Sequence, residues 1–378
     1  MPDGTFVEYN YNKDSSLQSV KTNFGTTSYN YDDLGRVKTV TDNNGGITSY
    51  DYDDVGNLKT ETNPANILTT YTYDEVNRLK SEVVTASNGE VLRSYAYTLD
   101  AVGRRTKIVE NGKDISERTV EYTYDNLGRL TEEKITANGE VSTVGYAYDK
   151  VSNRISKDDN GTVTAYTYDN NNRLLSEGAK TYAYDKNGNT ISVTENGVTT
   201  TYTYFDFGKI KGIENDSTKE TYTYDYQGRR IRKESHTKAT GVTENINYLL
   251  DDSGLVYNVL AEYDDTLHTT TLYTYGTDII SIETNGEMSY YIVDGQGSTR
   301  ALTDINGNIT DTYTYDAYGN ITEQTGNTYN PYLYNQEQYD ANTGLYYLRA
   351  RYMDPSTGRF VSTDSYGGSI YDPMSLHK

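Results

Sequence analysis

Asp304, Asn306, Asn308 and Asp311 set side-chain oxygens at nearly alternate positions, a pattern with which a loop can wrap a hard cation such as calcium. Gly307 comes two places earlier than the glycine of an EF-hand loop, and Asn306-Gly307 is itself a hairpin signal, so a turn accounts for the run without a metal. His236, His268 and His377 stand far apart with no repeat-linked partner, which argues against a zinc site or a catalytic triad. Cysteine is absent, and with it thiolate chemistry, disulfides and cysteine-based zinc sites. The remaining candidate is tyrosine, 42 of 378 residues. Its rings could stack on the apolar faces of sugars while Asp and Asn supply hydrogen bonds. Their recurrence at one fixed point of a repeat favours instead a role in holding strands together.

The elements that position those tyrosines follow from a phrase of about twenty residues, YxYDxxGR, heard as YNYDDLGR from Tyr29, YTYDEVNR from Tyr71, YTYDNLGR from Tyr122 and YTYDYQGR from Tyr222. Two tyrosines two apart share one face of a strand. Asp opens a turn by accepting backbone N–H groups, and the fourth turn position wants a residue that tolerates positive φ. That place holds Gly35, Gly56, Asn77, Gly103, Gly128, Asn172, Gly188, Gly228 and Gly319; Ser152 is the misfit, where Asn153 is expected to take the left-handed role.

Val37, Leu58, Leu79, Leu130, Leu174 and Ile231 then begin a returning strand. Asn-Gly pairs, such as Asn44-Gly45, Asn88-Gly89, Asn111-Gly112, Asn138-Gly139, Asn160-Gly161, Asn196-Gly197 and Asn285-Gly286, supply the next reversal. The expectation is an all-β, antiparallel meander of YD-repeat hairpins, with tyrosines laddered between neighbouring hairpins. So many twisted strands must coil into a spiral sheet or shell. No window carries a capped helical period. From about His236 to Met288 the phrase decays, and Pro331, Pro355 and Pro373 mark a C-terminal part organised differently.

Net charge is −21 and the pI near 4.5, so nucleic acid and anionic membrane surfaces are poor partners. No apolar run reaches the length of a membrane span, and MPDGTFVEYNYN has neither the basic nor the apolar region of a signal peptide. Tyr9 and Tyr11 already sound like a repeat, so the chain reads as an excerpt of a longer polypeptide.

The phrase resembles the YD repeat of the Rhs and wall-associated bacterial proteins, whose repeats are related to those of teneurins. SYYIVDGQGSTRALTDINGNITDTYTYDAYGN, residues 289–320, resembles the opening of the Rhs repeat-associated core. YNQEQYDANTGLYYLRARYMDPSTGRFVSTD, residues 334–364, resembles its signature. The resemblance implies a repeat array over residues 1–285 and a core domain over 286–378, truncated at its C-terminal end. It implies a shell that encloses a C-terminal toxin or effector of the same polypeptide, in a secreted or cell-surface bacterial protein. In members that cleave themselves the core carries an aspartyl-protease-like centre, whose matching positions here are Arg351 and Asp364. Ser365 stands where Pro is usual, and the partner Asp has no counterpart before Lys378. The expectation is therefore a scaffold without turnover or cofactor, with Arg351 and Asp364 as a structural ion pair. The alternatives are a glycan-binding or adhesive module, and an autoprotease core inactive in this fragment.

Overall fold

The computed structural model describes residues 4–113, 115–254 and 256–364; Ser365, Pro373, His377 and Lys378 lie outside the described residues. It is all-β, and the remaining regular element among the described residues is the short 3-10 turn Tyr334–Gln336. Strands pair antiparallel with their neighbours in sequence, through the stretch where the phrase decays as well. The 285/286 boundary drawn from motifs falls in the hairpin between Ile279–Thr284 and Glu287–Val293.

Each residue of the phrase has a physical task. The Asp carboxylate accepts the N–H groups two and four residues on, as Asp74 does from Val76 and Arg78 at 3.0 Å each, and its second oxygen takes the Arg78 Nε at 2.7 Å. The same clasp recurs at Asp32–Arg36, Asp100–Arg104, Asp125–Arg129, Asp169–Arg173 and Asp225–Arg229. Arg36 beside Asp32, and Arg129 beside Asp125, hold those carboxyls below the usual carboxylate range. Where Arg is replaced, Asn57, Asn153 and Asn189 reach the carboxylate with their Nδ2 atoms.

The first tyrosine is buried at Tyr50, Tyr146, Tyr166, Tyr202 and Tyr222 and partly buried at Tyr29, Tyr71, Tyr122 and Tyr182. In many repeats the second sends its hydroxyl back to the preceding hairpin, onto the carbonyl that opens its return strand. Tyr31 reaches Leu17 at 2.9 Å, Tyr52 reaches Val37 at 2.8 Å, and Tyr73 reaches Leu58 at 2.8 Å. Tyr148, Tyr168, Tyr184 and Tyr204 repeat the bond to Leu130, Arg154, Leu174 and Thr190. The Arg of one turn stacks on the second tyrosine of the next, 4.3 Å from Arg36 to Tyr52 and 4.7 Å from Arg129 to Tyr148.

Three details depart from the sequence reading. The repeat tyrosines at these positions do not pair across strands: the residue opposite the first tyrosine is Val40, Glu61, Glu82, Val193 or Ile213, because a return strand intervenes between successive YxY strands. Ser152 itself takes the left-handed conformation, at φ 71°, while Asn153 stays available to cap Asp149. Asn111-Gly112 is no turn but the end of the strand Arg105–Gly112, where a β-carbon on Gly112 would meet the Leu92 carbonyl oxygen at 2.5 Å. Asn138-Gly139, Asn160-Gly161, Asn196-Gly197 and Asn285-Gly286 do form turns with two successive positive φ angles.

The chain divides into two compact units. The first comprises Met1–Thr119, Ile246–Asp316 and Ile321–Glu337. Within it an early and a late stretch of meander share one core, Val40, Tyr50, Ile67, Val84 and Leu92 meeting Ile280, Tyr290, Ile292 and Ala301. The second comprises Val120–Asn245, Ala317–Asn320 and Gln338–Lys378. It adds to its repeats a separate four-stranded sheet, Gln338–Asp340, Leu345–Leu348, Arg351–Asp354 and Arg359–Phe360. Leu345, Tyr347, Tyr352 and Val361 of that segment pack on Tyr202, Ile210, Ile213 and Tyr222.

Removing the hydroxyl alone, in Tyr73→Phe, is expected to cost about 1 kcal/mol in denaturant unfolding, and an unchanged midpoint would show that the bond to Leu58 contributes nothing. Ser152→Gly is expected to raise the melting temperature, since glycine adopts the left-handed turn position at no steric cost.

Candidate functional site

The resemblance-derived pair is formed. Arg351 Nη2 lies 2.8 Å from Asp364 Oδ2, with the Arg351 guanidinium stacked 3.6 Å over the Phe360 ring. The Asp364 side chain is 40% exposed, which limits such a pair to about 0–1 kcal/mol. Asp354 of the same segment accepts from the N–H and hydroxyl of Ser356, and burial pushes its carboxyl up.

The other sequence candidates are spent on structure. Asp304 accepts the N–H groups of Asn306 and Asn308 and the Asn308 side-chain amide. Asp311 is fully buried and takes both polar groups of Thr328. His236 Nδ1 lies 2.9 Å from the Thr243 hydroxyl, and the His268 N–H donates to Asp264. Among the described residues no group of three or more His, Asp or Glu is arranged to hold a metal ion.

The feature that organises the second unit is the way its repeats bind the C-terminal segment. Arg230 is almost wholly buried; its Nη1 donates to Asp340 at 2.6 Å and to the Tyr352 hydroxyl at 3.0 Å, and its Nη2 donates to Gln338 at 2.7 Å. The guanidinium also lies 4.2 Å over the Tyr347 ring, and Lys233 reaches the other Asp340 oxygen at 3.1 Å. Burial disfavours the Asp340 carboxylate, yet Arg230 and Lys233 outweigh it and hold its pKa below the usual range.

Neighbouring repeats add further bonds to the same segment. Lys209 Nζ donates to the Ala350 carbonyl at 2.8 Å, and the Tyr204 hydroxyl and Thr190 N–H both donate to the Val361 carbonyl at 3.0 Å. Asn172 offers its carbonyl to Arg359 at 3.0 Å, and Arg154 donates to the Thr357 carbonyl at 3.0 Å. The sequence signal for this seat was present. Arg154 and Arg230 occupy the position where other repeats carry Val37, Leu58, Leu79, Leu130 or Leu174. A cation there faces a following segment rather than a core. In the first unit Arg105 holds the same position and donates to Gly295 and Gln296.

The first unit also carries core-facing carboxylates opposite its buried tyrosines. Glu110 is compensated by Arg300 at 2.9 Å and Arg118 at 3.0 Å, which outweigh desolvation and hold its pKa down. Glu262 takes the hydroxyls of Tyr273 and Tyr329. Glu61 has no such relief: desolvation first, then repulsion from Asp278, push its carboxyl up to about 8. Glu82 is likewise raised by burial, and one of its oxygens has no hydrogen-bond partner.

A repeated tyrosine–aspartate hairpin, stitched to its predecessor and bearing a C-terminal strand segment on its repeats, defines a YD-repeat scaffold. The chain belongs to the Teneurin YD-shell family, whose model matches residues 57–377, and residues 31–66 match the RHS Repeat. The tRNA3(Ser)-specific nuclease WapA of Bacillus spizizenii is 32% identical over 77% of this chain and 10% of its own length. The tRNA nuclease WapA of Bacillus subtilis is 31% identical, with the same coverage. This chain thus spans about a tenth of those relatives. The crystal structure of TcdB2-TccC3 superposes with a TM-score of 0.80 at 20% identity, over 98% of this chain and 21% of that one, and so shares the fold.

Asp340→Asn is expected to destabilise the second unit by roughly 3–5 kcal/mol, since it leaves Arg230 and Lys233 without their buried anion. A loss under about 1 kcal/mol in denaturant unfolding would overturn that assignment. In the first unit, the folded form holds the Glu61 proton above the ordinary carboxylate range. Stability should therefore fall as pH rises from near 4.5 toward about 8 and level off beyond. Glu61→Gln should flatten that decline in melting temperature, and an unaltered profile would count against it.

Proposed function

We propose that this chain is part of the wall of a larger bacterial toxin, a scaffold that encloses a C-terminal toxin carried on the same polypeptide and assists its delivery at or beyond the cell surface. The observation that carries this reading is the seating of residues 338–364 on successive repeats, through Arg230, Lys209, Thr190, Asn172 and Arg154. Such a seat fixes the path of the chain up to Asp364. The nuclease names of the WapA relatives, which are about ten times longer, support a cargo beyond the matched region.

The segment itself performs no turnover on this reading, and Arg351–Asp364 serves as a structural ion pair. The glycan-binding alternative gains no support from the tyrosines. The first of the pair is buried at Tyr50, Tyr146, Tyr166, Tyr202 and Tyr222, and Tyr52, Tyr73 and Tyr168 commit their hydroxyls to backbone carbonyls.

In the full-length polypeptide, the domain that follows the core should resist a protease that rapidly digests the same domain expressed alone. Equal digestion rates would overturn the enclosure. For the present chain, incubation should leave the intact mass unchanged, and Asp364→Asn should shift the unfolding free energy by less than about 1 kcal/mol.

A further inference from the structure

In the second unit Tyr148, Ser152, Arg154, Tyr166, Tyr168 and Tyr318 line a cavity of about 150 Å³, bordered also by Leu174 and by residues 357–359. It is larger than one water requires and smaller than an ordinary small-molecule site. No carboxylate lines it.

Arg154 is the group there that calls for an explanation. It is 7% exposed, and its Nη2 donates to the carbonyls of Thr357 at 3.0 Å and Ser356 at 3.4 Å. Its Nε and Nη1 make no hydrogen bond among the described residues, and no carboxylate there forms an ion pair with it. Carbonyls satisfy hydrogen bonds without cancelling charge, and a buried cation is costly until an anion meets it. Arg230 and Arg300, buried to a similar degree, each have one, Asp340 at 2.6 Å and Glu110 at 2.9 Å.

The surroundings of Arg154 are aromatic instead. Its guanidinium lies 4.6 Å from the Tyr166 ring, 5.1 Å from Tyr318 and 5.6 Å from Tyr146. Ring faces offset part of the desolvation and supply no negative charge. Glu177, whose charge also reaches Arg154, spends its oxygens on the hydroxyls of Tyr166 and Tyr182. The Tyr148 and Tyr168 hydroxyls are likewise committed, to the carbonyls of Leu130 and Arg154. Ser152 differs. Its Oγ accepts from Arg129 Nη1 at 3.2 Å, and its own hydroxyl proton has no acceptor among the described residues. The cavity therefore presents a buried cation and a hydroxyl donor without an anion to receive them.

We propose that this cavity binds a small monoanionic carboxylate, whose oxygens accept from Arg154 and from the Ser152 hydroxyl while its short aliphatic part lies against Leu174 and the tyrosine rings. Charge-assisted hydrogen bonds supply the attraction. Arg154 brings one uncancelled positive charge, which a carboxylate balances. A phosphate dianion would carry a second negative charge into an aromatic enclosure.

The test is an NMR titration of this chain at constant ionic strength, reading backbone amides and the arginine Nε–H signals, with sodium acetate, sodium phosphate and sodium chloride in separate arms. Acetate should give saturable shifts confined to the Arg154 Nε–H and to residues around Ser152, Thr357 and Gly358. Arg154→Leu should abolish the saturation. Because that change also removes the bonds to Ser356 and Thr357, Ser152→Gly supplies an independent reading. Glycine takes the left-handed turn position readily, so the fold should persist while affinity for acetate falls about fivefold. No saturation with acetate, an equal response to chloride, tighter binding of phosphate than of acetate, or full affinity in Ser152→Gly would overturn the proposal.

Discussion

The tyrosine hydroxyl that reaches back to the previous hairpin is the bond on which the array depends. A two-stranded hairpin is marginal alone in water. Here many hairpins deliver a phenol to the carbonyl that begins the preceding return strand, as Tyr52 does to Val37 and Tyr73 to Leu58. The separation of donor and acceptor varies from 10 to 18 residues, whereas the Asp clasp with its left-handed fourth residue sets the turn between each phenol and the return strand that follows it. The Arg that closes the clasp then stacks on the next tyrosine. One motif thus sets the geometry of the turn and ties each hairpin to its predecessor, without a large aliphatic interior.

The same economy explains where charge is buried. A strand between successive tyrosines leaves a core-facing position opposite each first ring, and in several repeats a glutamate fills it. Glu110 and Glu262 are answered by arginines or phenols, whereas Glu61 and Glu82 are not. In the second unit the balance runs the other way. Arg230 is buried as a cation beneath the C-terminal segment and is answered by its Asp340. Electrostatic pairing there links residues more than a hundred positions apart and decides which segment lies on which repeat.

The meander, its turns and the separate character of the last residues were legible in the sequence because period-two tyrosines and Asp-x-x-Gly turns are local signals. What was not legible was relational. Tyrosine ladders were expected because adjacent repeats are adjacent in sequence, but a return strand lies between them in space. Ser152 was passed over as the left-handed residue because its side chain is poor at the task, yet the spacing of Asp149 and Asn153 required it there. For the core segment, the motif located Arg351 and Asp364 and their pairing, whereas its true anchors, Arg154 and Arg230, lay in repeats that looked merely irregular. An arginine in place of a leucine has no local explanation, so its partner had to be seen.

The backward reach of the phenol also sets an order of assembly. Its acceptor lies 10 to 18 residues upstream, so as the polypeptide leaves the ribosome each hairpin that makes this bond emerges after the carbonyl it needs is already in place. The array can grow by vectorial zippering, with only short loops to close at each step. The seat for residues 338–364 is then complete before that segment is synthesised.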